Sequence, residues 1–259
     1  MIVCRSGAEL DRIYASCQLV AELLNTLEQM VRPGISTLEL DRYAEKMILS
    51  RGARPAFKGY RGFPATLCTS LNEGVVHGIP SLRTILKEGD ILSIDVGVEK
   101  NGYFGDAART VAVGRVSPEV QRLLATTQQA LQRGIDQARV GNRVSDISVT
   151  VQTIAEGNGF SVVRDFVGHG IGSALHEEPQ IPNYGKLGTG SLLQAGMVLA
   201  IEPMINAKGA AVKVLKDKWT VVTVDSGYSA HFEHTVAVTR NGPWILSLWD
   251  PGKKGLYSL

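Results

Sequence analysis

Four carboxylates lie inside apolar runs, where a lone charge is costly to bury. Asp95 stands in ILSIDVGVEK, Asp106 in GYFGDAARTVAV, Glu202 in VLAIEPMI and Glu233 in AHFEHTVAV. Of the chain's five histidines, His169 and His176 fall seven residues apart in DFVGHGIGSALHEEP, with three glycines around the first. That stretch alone leaves three readings open for the pair: packed bystanders, metal ligands or acid–base groups. Four acids and one imidazole would form an oxygen-rich site whose negative charge two divalent ions could neutralise. Hard oxygen donors favour Mn, Fe or Co over a thiolate-type zinc site.

Spacing sharpens the first pair. Asn101-Gly102 between two strand-like runs is a strong short signal for a hairpin. With a two-residue turn there, Asp95 faces position 108, and Asp106 is its diagonal neighbour on the same face, with Cα atoms roughly 7–8 Å apart. Two aspartates so placed among valines and isoleucines repel unless a cation lies between them. The alternative is a pair of solvent-facing aspartates on the wet side of an antiparallel sheet. In the second half, Glu233 shares a strand face with His231, and His234 points to the opposite one. His231 and His234 read as structural.

The elements that must carry these residues recur in two halves, about 1–114 and 115–259. Residues 8–31 read as an amphipathic helix. Ser36 and Glu39 have capping-box spacing and open a second helix to about Arg51, closed by Gly52. Ser117-Pro118 then starts a helix running to about Ala138. Ser145 or Asp146 caps another, closed by Gly157. Strands follow each helix pair; GMVLAIEPMI and YSAHFEHTVAV read as two of them, joined by a lysine-rich connection. The expectation is one α/β domain over 1–259, with an internal pseudo-twofold and with helices outside antiparallel sheet.

Composition excludes several classes. The chain has 259 residues, 44% of them hydrophobic, and a net charge of +2, too small to make nucleic acid the main partner. No run approaches the ~18 apolar residues of a membrane span, and the first residues lack the apolar stretch of a signal peptide. Cys4, Cys17 and Cys68 have no metal-like spacing, so reduced thiols in a cytoplasmic protein are expected.

Several blocks together resemble the type I methionine aminopeptidases: IDVGVEKNGYFGDAARTV, FVGHGIGSALHEEPQIPNYG, VLAIEPMI and HFEHTVAVT, with GYRGFPATLCTSLNEGVVHGIP and DKWTVVTVD. The likeness covers nearly the whole chain in content and order. It implies the pseudo-twofold "pita-bread" fold, a curved antiparallel sheet covered by helices on its outer face. It also implies a dinuclear metal site with Asp95, Asp106, His169, Glu202 and Glu233 as ligands, holding Mn, Fe or Co, with Zn possible. Asp106 and Glu233 would bridge the ions; Asp95 would hold one, and His169 with Glu202 the other. The implied activity is removal of the initiator methionine from nascent proteins when the second residue is small. In it, hydroxide held by the two ions attacks the scissile carbonyl, with Glu202 as general base.

By the same resemblance His176 hydrogen-bonds the scissile carbonyl and stabilises the oxyanion, and His77 contacts the scissile amide. Tyr60, Phe63, Cys68, His77, Leu175, His176 and Trp219 line the substrate pocket. Phe57 and Leu175 depart from the common pattern, standing where Cys and Phe are frequent. Two rivals share the fold: a Xaa-Pro peptidase with the same five ligands, and a binding protein without catalysis. The first usually carries an extra N-terminal domain, and the second typically loses ligands. The family further suggests a monomer and a basic patch touching the ribosome, here Lys208, Lys213, Lys216 and Lys218.

Overall fold

The structure, a computed structural model, describes residues 2–251. Met1 and the C-terminal end of the domain expected over 1–259 therefore lie outside the described residues. Helices α1 (Gly7–Met30) and α2 (Thr37–Ser50) each begin with a capping box, Ser6 with Glu9 and Ser36 with Glu39. The strands that follow are β1 (Arg54–Pro55), β2 (Cys68–Leu71), β3 (Gly74–Val76), β4 (Ile91–Lys100) and β5 (Tyr103–Ala112). Helices α3 (Pro118–Asp136) and α4 (Val144–Gly157) come next. Strands β6 (Ser161–Val162), β7 (Gly168–Gly170), β8 (Glu177–Ile181), β9 (Val198–Ile201) and β10 (Met204–Asn206) follow. The last are β11 (Val212–Val214), β12 (Val221–Thr223), β13 (Ser229–His231), β14 (His234–Thr239) and β15 (Gly242–Ile245).

All pairing is antiparallel. It falls into four sheets: β1-β4-β2 with β5 on β4, β13-β10-β6, β11-β12-β3, and β15-β14-β9-β7-β8. Leucines and isoleucines of α1 and α2, among them Leu23, Leu27 and Leu40, pack with Leu92, Ile94 and Val96 of β4. A second core joins Leu123 and Ile135 of α3 and Ile147 and Val151 of α4 to Leu199, Ile201 and Val236. Each helix pair thus seals its own strands from water, burying side chains that each contribute about 1.5–3 kcal/mol.

Two sequence readings are corrected. Helix α4 starts at Val144, before Ser145 and Asp146, which were expected to cap it. The Asp146 carboxylate instead sits one turn in and accepts the Arg143 N–H at 2.7 Å; the Ser145 hydroxyl accepts the Thr189 N–H at 2.9 Å. The runs read as continuous strands, GMVLAIEPMI and YSAHFEHTVAV, are each interrupted. β9 pairs with β14 up to Ile201–His234, and β10 resumes against β13 at Met204–His231. The register is unchanged across the gap, so Glu202 and Glu233 stand opposite each other inside it. Pro203, which has no N–H for the ladder, accounts for one side of the break.

The two halves meet along a second antiparallel seam. The Thr235 hydroxyl accepts the Asp106 N–H at 3.1 Å and donates to the Asp106 carbonyl at 2.7 Å. The Glu233 N–H reaches the Ala108 carbonyl at 2.9 Å. The Thr110 hydroxyl donates to the His231 carbonyl and accepts its N–H, both at 2.8 Å. Positions 106, 108 and 110 therefore face 235, 233 and 231 in constant register. Thr235→Val keeps the shape but strands two buried backbone groups of Asp106. Urea unfolding should show a loss of about 2–6 kcal/mol, from the 1–3 kcal/mol expected for each of the two unsatisfied groups; a change below about 0.5 kcal/mol would refute the seam's role.

Candidate active site

One cavity of ≈ 280 Å³ gathers nearly every residue singled out in the sequence. Asp95, Asp106, His169, Glu202 and Glu233 lie in its wall, together with Tyr60, Phe63, Cys68, His77, Leu175, His176 and Trp219. The hairpin register is the expected one: Asp95 pairs with Ala108, and Asp106 with Gly97. The ordinary wet-sheet alternative fails, because Asp106 is 4% exposed and the Oδ1 of the half-buried Asp95 is shut off from water.

His169 is placed by crowding. It is the middle residue of β7, wedged between β8 and β9. A Cβ on Gly168 would fall 2.4 Å from the Ala200 carbonyl oxygen, and one on Gly170 would fall 2.2 Å from that of Glu178. Only glycines let three backbones approach so closely around the histidine. The His169 Nδ1 lies 2.9 Å from the Gly170 carbonyl, a pairing that requires the proton on Nδ1. The Nε2 lone pair then faces Glu202 Oε1 at 3.5 Å.

The donors are set for cations. Ligand atoms of Asp106, His169 and Glu233 lie within 4.8 Å of one another, as do those of Glu202, His231 and Glu233. Asp95 belongs to neither trio but shares the pocket wall. Among the described residues, seven buried side-chain polar atoms lack a partner, and four belong here: Asp95 Oδ1, Asp106 Oδ1, His231 Nε2 and Glu233 Oε1. Buried polar atoms are nearly always satisfied, so this concentration fits a cluster whose partners are ions. His231, read as structural from the sequence, also stands at this cluster. Its signal was its place two residues before Glu233, on the same strand face.

Around the donors stand rings. The His176 Nδ1 is 2.8 Å from the Tyr60 hydroxyl, and the His176 and His169 rings are 4.3 Å apart. Phe63 meets Trp219 edge-on at 5.2 Å, and Phe166 meets His77 edge-on at 5.5 Å. His77 adopts φ 59°, the left-handed region that non-glycine residues rarely enter; such strain persists where surrounding structure over-determines it. Trp219 arrives on the turn of the β11–β12 hairpin, where the Asp217 carboxylate accepts the N–H groups of Trp219 and Thr220 at 2.9 Å. His234 Nδ1 pairs with the Ser247 hydroxyl at 2.8 Å, in keeping with a structural role.

The chain is similar to known proteins over most of its length. Residues 11–240 match the model of metallopeptidase family M24. A methionine aminopeptidase of Clostridium perfringens is 53% identical over 96% of this chain and 99% of its own length. Methionine aminopeptidase 1 of Bacillus subtilis is 51% identical over 95% and 99%. The crystal structure of methionine aminopeptidase from Rickettsia prowazekii superposes with a TM-score of 0.94 at 42% identity, covering 96% of this chain and all of that one. The shared fold is the expected pita-bread α/β arrangement.

Electrostatics give the site a signature. Burial, then the neighbouring carboxylates, pushes Asp95, Glu202 and Glu233 well above the usual acid range, and burial raises Asp106. Burial depresses His169 and His231 to about 3, and His77 and His234 to about 4, from an ordinary 6.5. Depressed histidines add stability as pH rises to 6.5 and nothing further above it. Raised carboxylates hold more protons folded than unfolded, so they cost stability as pH rises past about 4. Above pH 6.5 only the carboxylates remain. The melting temperature of metal-free protein should therefore fall between pH 6.5 and about 8, and saturating Mn should flatten that slope by replacing the protons. Equal slopes with and without Mn would contradict the reading.

Proposed function

The chain belongs to metallopeptidase family M24, and we propose that it removes the N-terminal methionine from nascent proteins when the second residue is small. The observation that carries the reading is a cluster of buried, unpartnered carboxylate oxygens at the wall of a small aromatic pocket. The relatives named methionine aminopeptidase support it. We read residues 1–259 as a single catalytic domain of two pseudo-symmetric halves, acting as a cytoplasmic monomer. No helix among the described residues is long and apolar enough to cross a membrane.

Asp95, Asp106, His169, Glu202 and Glu233 would hold two divalent ions; Mn, Fe or Co suit these hard donors, and Zn is admissible. When bound, such ions acidify a water and polarise the scissile carbonyl. Glu202 accepts the attacking water's proton on a carboxylate oxygen and delivers it to the departing amine nitrogen. When the Tyr60 hydroxyl donates to His176 Nδ1, 2.8 Å away, the proton of that imidazole sits on Nε2, free to donate to the oxyanion. A donor so placed contributes typically about 10²–10³ in rate. His77, held by Phe166 and Trp219, borders the scissile amide and limits the room for a bulky second residue.

The pocket sets the first residue. Its ≈ 280 Å³ falls below the roughly 300–1,000 Å³ of typical ligand sites, enough for one side chain but not for an extended peptide. Tyr60, Phe63, Cys68, Leu175 and Trp219 offer polarizable apolar walls, which favour a thioether by about 0.3–1.5 kcal/mol per aromatic contact. Capping the substrate's α-amine should abolish binding, because the free amine would bind the ion that Asp95 would hold.

Turnover of Met-Ala-Ser, Ala-Pro-Ala and N-acetyl-Met-Ala-Ser, after chelation and again with Mn, Co or Fe restored, tests the reading. Metal-dependent release of methionine from the first peptide alone is expected. Cleavage of Ala-Pro-Ala would instead indicate a Xaa-Pro peptidase, and no turnover by folded protein would indicate a binding role.

Lys208, Lys213, Lys216 and Lys218 are all exposed on the segment that carries Trp219. We read them as a contact to ribosomal RNA that places the pocket near emerging chains. Phosphate contacts of this kind weaken steeply with salt. Reversing the charge of Lys213 and Lys216 should lower ribosome co-sedimentation and leave tripeptide turnover intact; unchanged sedimentation would remove the proposal.

A further inference from the structure

His231 is the one imidazole at the metal cluster that the five-ligand arrangement leaves without a task. It is 1% exposed, and its Nε2 is buried with no hydrogen-bond partner. That nitrogen lies 3.6 Å from Glu202 Oε2 and 3.9 Å from Glu233 Oε2. Both distances are too long for hydrogen bonds, which run about 2.7–3.2 Å for nitrogen donors. They approach the spacing of two donors on one cation, since ligand atoms each about 2.0–2.2 Å from a metal stand roughly 3–3.5 Å apart. The backbone is fixed twice over, by Thr110 on the seam and by Met204 across β10. The side chain is 2% exposed, so surrounding atoms leave it little room to turn away.

Glu202 sits between two imidazoles: Oε1 faces His169 Nε2 at 3.5 Å and Oε2 faces His231 Nε2 at 3.6 Å. Glu202, His231 and Glu233 place one donor atom each within a common 4.8 Å. A ring nitrogen held there, buried and without a partner, would be a wasted polar group unless a cation takes it.

We propose that His231 is a sixth metal-ligating residue, adding a second imidazole to the cluster on its Glu202–Glu233 side. The inference rests on the metallopeptidase reading but makes a separate claim: the site is richer in nitrogen than His169 alone would make it. A second imidazole raises affinity for Co and Zn more than for Mn, because nitrogen donors suit the former and oxygen donors the latter.

Two readouts decide it without reference to turnover. Pulsed EPR of the wild-type protein loaded with Cu(II) should show two coupled imidazoles. Calorimetric titration of metal-free His231→Asn should show affinity for Zn reduced at least tenfold, with Mn affinity changed less than threefold. One imidazole on the wild-type protein would overturn the proposal, whatever the variant does. Equal losses for Zn and Mn would also overturn it, by pointing to a role in holding Glu202 rather than the ion. No metal bound by wild-type protein would defeat the metallopeptidase reading itself, a result distinct from either.

Discussion

The seam between the halves is the constraint on which the site depends. Thr235 holds both backbone groups of Asp106, Glu233 reaches Ala108, and Thr110 holds both backbone groups of His231. Two carboxylates from different halves are thereby fixed near each other, although ionising both there is costly. At 4 Å and an effective dielectric of about 20, such a pair repels by roughly 4 kcal/mol. The backbone and hydroxyl bonds of the seam, with an apolar core on each side, offset that repulsion. The scaffold carries an unfavourable cluster so that cations can relieve it.

Regular strands alone would not build this cluster. Side chains of a continuous strand alternate between faces, and a ladder that runs without interruption aims its acids at its own sheet face only. The break at Glu202-Pro203, opposite the one at Phe232-Glu233, turns two glutamates into the junction between the sheet of β9 and β14 and the sheet of β10 and β13. The unbroken hairpin of β4 and β5 supplies the aspartates from the other side. His169 then closes the ring from β7, where Gly168 and Gly170 allow the backbones to crowd. Each donor has its own local reason for its position, and the seam makes those positions converge.

Much of this was legible in local chemistry. The Asn101-Gly102 turn fixed the Asp95–Asp106 geometry, a capping box marked the start of α2, and apolar flanks exposed the cost of each acid. The start of α4 was misread because Asp146 resembles an N-cap while acting one turn later. The interruptions were missed because both runs have strand composition throughout; Pro203 was the only local hint. The nearness of His231 to Glu202 was not legible, because the two are distant in sequence and no periodicity reports such contacts. The rings of the pocket, Tyr60, Phe63 and Trp219, would have passed for ordinary core or loop aromatics; family resemblance, not spacing, singled them out.

The central claim is that the buried acids form one cation site spanning both halves. Anomalous diffraction from crystals of the protein grown with Mn, collected near the metal edge, tests it most directly. The account predicts two peaks in the pocket, each within about 2.0–2.3 Å of oxygens from Asp106 and Glu233. An empty pocket under saturating metal, or ions bound only by residues of one half, would contradict it.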